Sequence, residues 1–329
     1  MEQKVLEVKN LKTYFNTRNG LVKAVDGVDF DVKKGEILAI VGESGCGKSV
    51  TSQSIMRLIG QKKSEIISGE VLYKGDNLLD KSESEMRELR GKNISMIFQD
   101  PMTSLNPVYT VGAQIAEVPR IHDKADKKSA WKRAIEMIKK VGIPSPESRA
   151  TQYPHQFSGG MRQRGVIAMS LAGNPDLLIC DEPTTALDVT IQAQVLDLIR
   201  DLRDETNAAI VMITHDLGVV AELCDTVAVM YAGKIVEKAS VEELFANPQH
   251  PYTKGLLASL PKPGSRERLT PIEGQPPNLH NLPQGCRFAD RCPFVMSKCR
   301  EKQPELIESS FKNHHVACWL EEEEVEEVV

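Results

Sequence analysis

Short apolar runs alternate with amphipathic segments along most of the chain. The apolar runs at 37–41, 177–180 and 210–214 are too short for helices and predict buried strands. Segment 189–204 predicts a helix, because its apolar residues recur on one face and Asp188 precedes it as a candidate N-cap. That face consists of Ile191, Val195, Leu198, Ile199 and Leu202. Strands that alternate with helices favour an α/β core.

Three further patterns complete the predicted organisation. Residues 48–59 predict a helix directly after the first apolar run. Segments 227–231 and 234–238 flank Ala-Gly at 232–233, which predicts a hairpin. The region at about 102–172 is mostly helical, and one of its helices has an apolar stripe that core packing explains. The stripe consists of Trp131, Ala134, Ile135, Ile138 and Val141, and it stops at Gly142.

The composition is that of an ordinary globular protein. The chain has 329 residues, of which 41% are apolar and 26% charged, so disorder of the bulk is excluded and about two domains are expected. No apolar run approaches the ~18 residues of a spanning helix, and the first ten residues lack the apolar core of a signal peptide. We therefore expect a cytosolic protein. The net charge of −5 argues against nucleic acid as a partner.

The last third of the chain differs from the rest. Six of the 18 prolines lie between 261 and 283, which predicts a linker or an extended arm. Four of the seven cysteines follow, at Cys286, Cys292, Cys299 and Cys318. Because a reducing compartment disfavours disulfides, this grouping indicates a metal site. The spacings match neither the tight pairs of zinc sites nor ferredoxin runs, so a four-cysteine cluster, zinc and no metal all stay open. His314 or His315 could replace one cysteine ligand.

A phosphate-binding motif lies between the first predicted strand and helix. Residues 42–49 fit G-x-x-x-x-G-K-[ST], and we call them the phosphate loop. Glycines let backbone N–H groups turn toward phosphate oxygens, and the helix N-terminus adds a favourable dipole. Lys48 is expected to reach the β- and γ-phosphates, and Ser49 to bind Mg²⁺. The predicted nucleotide contacts are Gly42, Ser44, Gly45, Cys46, Gly47, Lys48, Ser49 and Val50.

Two carboxylates end the predicted strand at 177–180. Asp181 is placed to hold Mg²⁺ through water, as acidic residues after a buried strand do in phosphoryl transfer. Glu182 points elsewhere and is the candidate general base for the attacking water. The predicted magnesium ligands are Ser49, Asp181 and, with the resemblance below, Gln99.

A third motif makes a family resemblance visible. Residues 157–161 read Phe-Ser-Gly-Gly-Met and precede a predicted helix. With the two motifs above, they resemble the signature sequence of ATP-binding cassette (ABC) ATPases, although Phe157 and Met161 depart from its usual form. Ser158 caps a helix, and Gly159 and Gly160 let backbone N–H groups approach a phosphate, so this is a second anion site.

The resemblance covers residues 3–245 and implies both a fold and further site residues. It implies a P-loop NTPase cassette with a RecA-like core, an antiparallel β subdomain and the inserted helical subdomain. Gln99 resembles the glutamine that contacts Mg²⁺, Asp188 the aspartate of the loop that crosses the dimer, and His215 the switch histidine at the γ-phosphate. Phe15 resembles the aromatic residue that stacks on adenine, with Tyr14 as the alternative.

Two longer segments, 99–107 and 250–257, narrow the resemblance to the importer ATPases for dipeptides, oligopeptides or nickel. That family has a C-terminal extension, which implies a nucleotide-binding domain at 1–245 and an extension at 246–329. Similar cysteine patterns there are associated with a [4Fe–4S] cluster.

The implied function is the ATP-hydrolysing motor of an importer at the cytoplasmic face of the membrane. Its implied partners are two transmembrane permease subunits, a second ATPase subunit, identical or related, and indirectly an extracytoplasmic substrate-binding protein. A soluble ABC protein of DNA repair or translation is the alternative. The chain has neither the long insertions nor the tandem cassettes of those classes. A redox sensor is the third hypothesis.

Overall fold

The computed structural model describes residues 3–59, 64–100, 104–184, 188–260 and 271–321. Parts of three predicted features lie outside these ranges: residues 102–103 of the helical region, 186–187 before Asp188, and 261–270 of the proline-rich arm. Among the described residues, no helix is long and apolar enough to cross a membrane. The chain divides into two compact units, the first with 1–6, 31–37 and 72–213, the second with 7–30, 38–71 and 214–329.

Between residues 94 and 231, helices separate each strand from the next, as the sequence predicts, whereas strands directly follow one another at the start of the chain. The strands are β1 (Lys4–Thr17), β2 (Gly20–Lys33), β3 (Ile37–Val41), β4 (Glu65–Tyr73), β5 (Asp76–Asn77), β6 (Ile94–Ile97), β7 (Leu177–Asp181), β8 (Ala209–Ile213), β9 (Thr226–Tyr231), β10 (Lys234–Ser240), β11 (Ile307–Glu308) and β12 (His315–Val316). The α-helices are α1 (Lys48–Ile55), α2 (Glu83–Leu89), α3 (Val111–His122), α4 (Lys127–Lys140), α5 (Pro146–Ala150), α6 (Gly159–Leu171), α7 (Val189–Thr206), α8 (Leu217–Leu223), α9 (Val241–Ala246), α10 (Pro251–Ala258) and α11 (Ser297–Glu301). Three short 3₁₀ helices lie at Leu78–Asp80, Pro154–Gln156 and Ala289–Arg291.

The first unit contains a parallel sheet in the order β6-β7-β8, and all residues of these strands are buried. The predicted helical region becomes helices α3 to α6. Helix α4 ends at Lys140, and Gly142 follows with a φ of 70°, as its apolar stripe predicts. Helix α7 begins after Asp188, whose side chain accepts from the Ile191 amide at 3.0 Å, so the predicted N-cap is confirmed.

The second unit contains most of β1, β2 and β4, which pair in the order β2-β1-β4, and a sheet in the order β11-β12-β10-β9-β3. The predicted hairpin forms between β9 and β10, with Ala232 and Gly233 both at positive φ. Helix α1 ends at Ile55 and not at residue 59, because Arg57 adopts a left-handed conformation with a φ of 50°. The C-terminal strand β12 pairs antiparallel with β10, so the end of the chain extends this sheet.

Candidate functional site

The phosphate loop connects the buried strand β3 to helix α1. Two of its glycines are required by close contacts as well as by positive φ. A Cβ at Gly47, with a φ of 110°, would lie 2.3 Å from the Ala24 carbonyl oxygen, and a Cβ at Gly42 would lie 2.1 Å from that of Met230. No other residue fits at either position without moving backbone atoms. The sequence motif therefore has a steric basis in the neighbouring strands.

Lys48 is buried and reaches back over the loop. Its ammonium Nζ donates to the carbonyl oxygens of Gly42 at 2.7 Å and Glu43 at 3.1 Å. The Cys46 amide donates to the Glu43 carbonyl at 3.3 Å, and burial raises the pKa of the Cys46 thiol. Of the other predicted contacts, Ser44 and Gly45 are exposed, whereas Ser49 and Val50 are half-buried in the first turn of α1. In the phosphate loop, Lys48 is therefore buried and hydrogen-bonded, whereas Ser44 and Gly45 at its tip are exposed.

The two candidate adenine-stacking residues are adjacent in β1, and both are half-buried. The Tyr14 hydroxyl donates to the Asp26 carboxylate, and burial, followed by this bond, raises the pKa of Tyr14 above its usual value. Successive strand residues point to opposite faces, so Phe15 lies on the other face of the sheet. Because Tyr14 is engaged with Asp26, Phe15 is the better candidate.

His215 follows strand β8. The Thr214 amide before it donates to the Ile40 carbonyl of β3 at 3.3 Å. Strand β3 leads directly into the phosphate loop. His215 therefore directly follows a residue that is hydrogen-bonded to this strand. The contact of His215 with the γ-phosphate stays a prediction.

In the first unit, the structure brings two predicted residues into direct contact. Glu182 Oε2 accepts a hydrogen bond from Gln99 Nε2 at 2.9 Å. Asp181, at the end of β7, is 3% exposed. Glu182 has a φ of 47°, a costly conformation for a residue with a side chain, and its amide donates to the Ile213 carbonyl at 2.9 Å. Asp181 therefore ends the strand and Glu182 begins a strained turn.

The signature segment begins helix α6. The Ser158 side chain accepts from the Met161 amide at 3.3 Å, so the predicted cap is confirmed. A Cβ built on Gly159 would meet no atom within 4 Å, whereas one on Gly160 would lie 3.3 Å from Ile191 Cγ2. The open space above Gly159 leaves this helix start accessible to an anion.

A residue that the sequence analysis missed fixes α6 to the segment after the two carboxylates. Gln163, 2% exposed, donates from Nε2 to the Pro183 carbonyl at 2.6 Å. In the sequence, Gln163 is marked only by its position two residues after the signature segment. This hydrogen bond therefore links helix α6 to the residue that follows the acidic pair.

The four C-terminal cysteines line one pocket, together with aromatic side chains. The lining includes Cys286, Cys292, Cys299, Cys318, Phe288, Phe294 and Trp319, and neither His314 nor His315. All four are free thiols, and burial raises the pKa of Cys286 to about 11 and that of Cys318 to about 12. Across the described ranges, no group of three or more His, Cys, Asp or Glu side chains is arranged to hold a metal ion. The predicted grouping of the cysteines is confirmed, but a metal site is not.

Two arginines of the C-terminal region also contact the phosphate loop and strand β2, which the sequence did not predict. The Arg291 guanidinium binds the carboxylate of Glu43 in the phosphate loop, and Arg287 binds Asp26, the partner of Tyr14. An acidic residue inside a phosphate-binding loop was the available signal, since such a charge needs a cationic partner.

Comparison with known proteins agrees with this geometry. The sequence profile described as ABC transporter matches residues 25–185, and the profile of the oligopeptide/dipeptide transporter C-terminal region matches 236–299. The chain is 54% identical to the dipeptide transport ATP-binding protein DppD of Bacillus subtilis, over 99% of this chain and 98% of the relative. It is 56% identical to the oligopeptide transport ATP-binding protein OppD of the same organism, over 96% and 89%. The structure resembles the dimeric, post-hydrolysis ATP-binding cassette MJ0796 bound to ADP and Pi, with a TM-score of 0.65, 26% identity, and coverage of 72% and 98%.

Proposed function

The chain belongs to the ABC transporter family of ATP-binding subunits, and we propose that it powers the import of dipeptides or oligopeptides. It is an ATPase with the ABC cassette fold. The observation that supports the peptide substrate is the match of its C-terminal region to oligopeptide and dipeptide transporters, together with the peptide names of relatives that span nearly the whole chain. We also propose a boundary between the cassette and its extension after residue 245.

We assign the chemistry to positioning and charge stabilisation, which dominate phosphoryl transfer. Lys48 neutralises the charge of the β- and γ-phosphates, to which its ammonium group moves from the two loop carbonyls. Ser49, Asp181 and Gln99 would hold Mg²⁺. Glu182 accepts the proton of the attacking water, and His215 stabilises the γ-phosphate. The hydrogen bond between Gln99 and Glu182 supports this assignment, because it couples the metal-contacting amide to the base.

The second ATP-binding surface comes from a second ATPase subunit. Ser158, Gly159 and Gly160 of one subunit would close over the ATP held by the phosphate loop of the other, with Asp188 at the same interface. The accessible start of α6 supports this role. The other partners are two membrane permease subunits, which place the chain as a peripheral subunit at the cytoplasmic face.

Glu182→Gln tests the catalytic assignment. We expect the variant to bind ATP and to form the ATP-bound dimer, because the amide keeps the shape of the side chain, while phosphate release falls by about a hundredfold or more through loss of the base. ATP binding is measured by fluorescence titration, dimer formation by size-exclusion chromatography and turnover by phosphate release. Turnover equal to that of the wild type would contradict the role of Glu182.

We further propose that the four C-terminal cysteines hold a [4Fe–4S] cluster. Four soft thiol ligands on one pocket with aromatic walls suit an iron–sulfur cluster, whose irons are bound by cysteine thiolates. The cluster would tie together the extension, which has only a small core of its own.

Iron, sulfide and zinc contents of the chain purified without oxygen test this proposal, with Cys292→Ser as the variant and Cys224→Ser as the matched control. Iron and sulfide that are lost only in Cys292→Ser support the cluster. Zinc in place of iron, or no metal, would contradict it.

A further inference from the structure

An acidic residue occupies the loop that must receive a triphosphate. Glu43 directly follows Gly42, and its carboxylate binds Arg291 of the C-terminal region through two hydrogen bonds. Arg291 Nη1 lies 2.6 Å from Glu43 Oε2, and Nη2 lies 3.0 Å from Oε1. The Arg291 side chain is 5% exposed and that of Glu43 is 28% exposed. This bidentate geometry fixes the orientation of the Glu43 carboxylate and compensates its charge.

Arg291 is itself fixed by its surroundings. Its Nε donates to the Glu273 carbonyl at 2.9 Å, and its Nη1 lies 3.3 Å from the Tyr231 hydroxyl. A second contact from the C-terminal region fixes the backbone of the same loop residue, since the Glu43 amide donates to the Tyr252 hydroxyl at 2.9 Å. Glu43 is therefore held at both its side chain and its amide by residues more than 200 positions away.

The held residue also contacts the lysine that binds phosphate. The Glu43 carbonyl oxygen accepts from Lys48 Nζ at 3.1 Å, so the orientation of this peptide affects where the lysine rests. We propose that Arg291 is a positioning residue for ATP binding: it neutralises the Glu43 carboxylate and holds it away from the incoming phosphates. The inference rests on the proposed function, because it assumes that the phosphate loop binds ATP.

Charge explains why the pair matters. A carboxylate without its partner would repel the triphosphate over a few ångströms in a partly buried site, where the interaction is much stronger than in water. A fixed arginine removes that repulsion and also lowers the ordering cost of the loop when the nucleotide binds. Both effects act on the bound ground state and on the transition state alike, so the affinity for ATP should change more than the turnover.

The test compares Arg291→Met with the wild type in the full-length chain. We expect KM for ATP, and Kd for Mg-bound non-hydrolysable ATP analogue, to rise about tenfold or more, a change typical of a close charge pair, with kcat changed by less than about threefold. Arg300→Met is the matched control. Arg300 also neighbours a cysteine, but it pairs only with the exposed Asp290, at 2.8 Å, and we expect no change in KM.

A double-mutant cycle separates charge compensation from general damage. In the Glu43→Gln background the repelling charge is absent, so Arg291→Met should raise KM by less than about threefold. Arg291→Lys keeps the charge but loses the two-pronged bond and should give an intermediate KM. If thermal unfolding shows that Arg291→Met does not fold, the KM of Arg291→Lys tests the inference in its place.

Three results would overturn the inference. The first is a KM for ATP of folded Arg291→Met that equals that of the wild type. The second is an equal rise in KM on Arg291→Met whether residue 43 is Glu or Gln. The third is a KM of Arg291→Lys as high as that of Arg291→Met. Failure of the proposed function itself looks different, because the wild-type chain would then neither bind nor hydrolyse ATP.

Discussion

The fully buried carboxylate of Glu237 in β10 binds groups of three residues that follow it in the chain, Gln249, His250 and His314. Its Oε1 accepts from the Gln249 amide at 2.7 Å and lies 2.7 Å from His314 Nε2, and its Oε2 accepts from the His250 amide at 2.9 Å. Neither the Glu237 nor the His314 side chain is exposed. We predict that Glu237→Gln destabilises this part of the chain, because glutamine has only one acceptor oxygen.

The magnitude follows from the contacts that are lost. The NH₂ group of the glutamine would face at least one of the N–H groups that now donate to the carboxylate. That buried N–H group is then left without an acceptor, at a cost of about 1–3 kcal/mol. The remaining bonds change from charge-assisted to neutral ones, which costs about 1 kcal/mol more. We therefore expect a loss of about 3 kcal/mol in the free energy of unfolding.

Urea unfolding followed by Trp319 fluorescence measures this loss. The chain has two tryptophans, so Trp131→Phe makes Trp319, in the C-terminal region, the sole reporter. A loss of about 3 kcal/mol lowers the midpoint by about 1–2 M at ordinary slopes. Glu243→Gln is the control, because Glu243 lies 3.9 Å from the other ring nitrogen of His314 but is 30% exposed, and it should change stability by less than about 0.5 kcal/mol. Equal midpoints for Glu237→Gln and Glu243→Gln would refute the reasoning.

The same pair predicts a pH dependence. Burial raises the pKa of Glu237, but hydrogen bonds from His314, from the Thr253 hydroxyl and from the two amides outweigh it and hold the pKa below its usual 4.5. A group with a depressed folded pKa stabilises the fold fully above its unfolded pKa, and this contribution is lost as pH falls through the folded pKa. The stability difference between the wild type and Glu237→Gln should therefore be constant near pH 7 and shrink below about pH 4.3.

Four further substitutions test the proposed nucleotide site. Gly47→Ala places a Cβ 2.3 Å from the Ala24 carbonyl, so a folded variant should lose ATP binding in a fluorescence titration; retained affinity would contradict the steric argument. Ser158→Ala removes the cap of α6 and should cost about 1 kcal/mol in thermal unfolding, with a larger fall in turnover than in ATP affinity. Equal falls would place Ser158 outside the second anion site. Phe15→Ala should raise KM for ATP about tenfold, whereas Tyr14→Phe should mainly lower stability; the reverse order would assign stacking to Tyr14.

Local patterns predicted much of the fold. Strand β3, the cap at Asp188 and the hairpin at Ala232 and Gly233 depend on residues close in sequence, and all three are confirmed. The predicted end of α1 was wrong, because Arg57 adopts a left-handed conformation, with a φ of 50°, that the apolar pattern does not indicate. On α7, Leu196 is buried and Leu198 only half-buried, a rotation of the predicted face that tertiary contacts determine.

The sequence predicted those parts of the candidate site whose residues are consecutive in the chain. The phosphate loop and the acidic pair are such motifs, and their residues lie where strands meet turns. Contacts between distant residues were not predictable in this way. Arg291 and Glu43 are 248 positions apart, and Gln99 and Glu182 are 83 apart, so neither spacing indicates a partner. The grouping of the four cysteines predicted a metal site; the structure places them on one pocket, and among the described residues no set of side chains is arranged to hold a metal ion.

The pairing of β12 with β10 has a consequence for solubility. Strand β10 lies between β9 and β12, and the exposed rim of this sheet is the two-residue strand β11. A chain shortened after residue 245 would lose β12 and leave the backbone of Glu237 and Lys238 unpaired on that side. Open edges of this kind recruit strands from other molecules, whereas very short edge strands do not. We therefore expect strands β11 and β12 to limit aggregation, and shortened forms should need a new edge cover to stay monomeric.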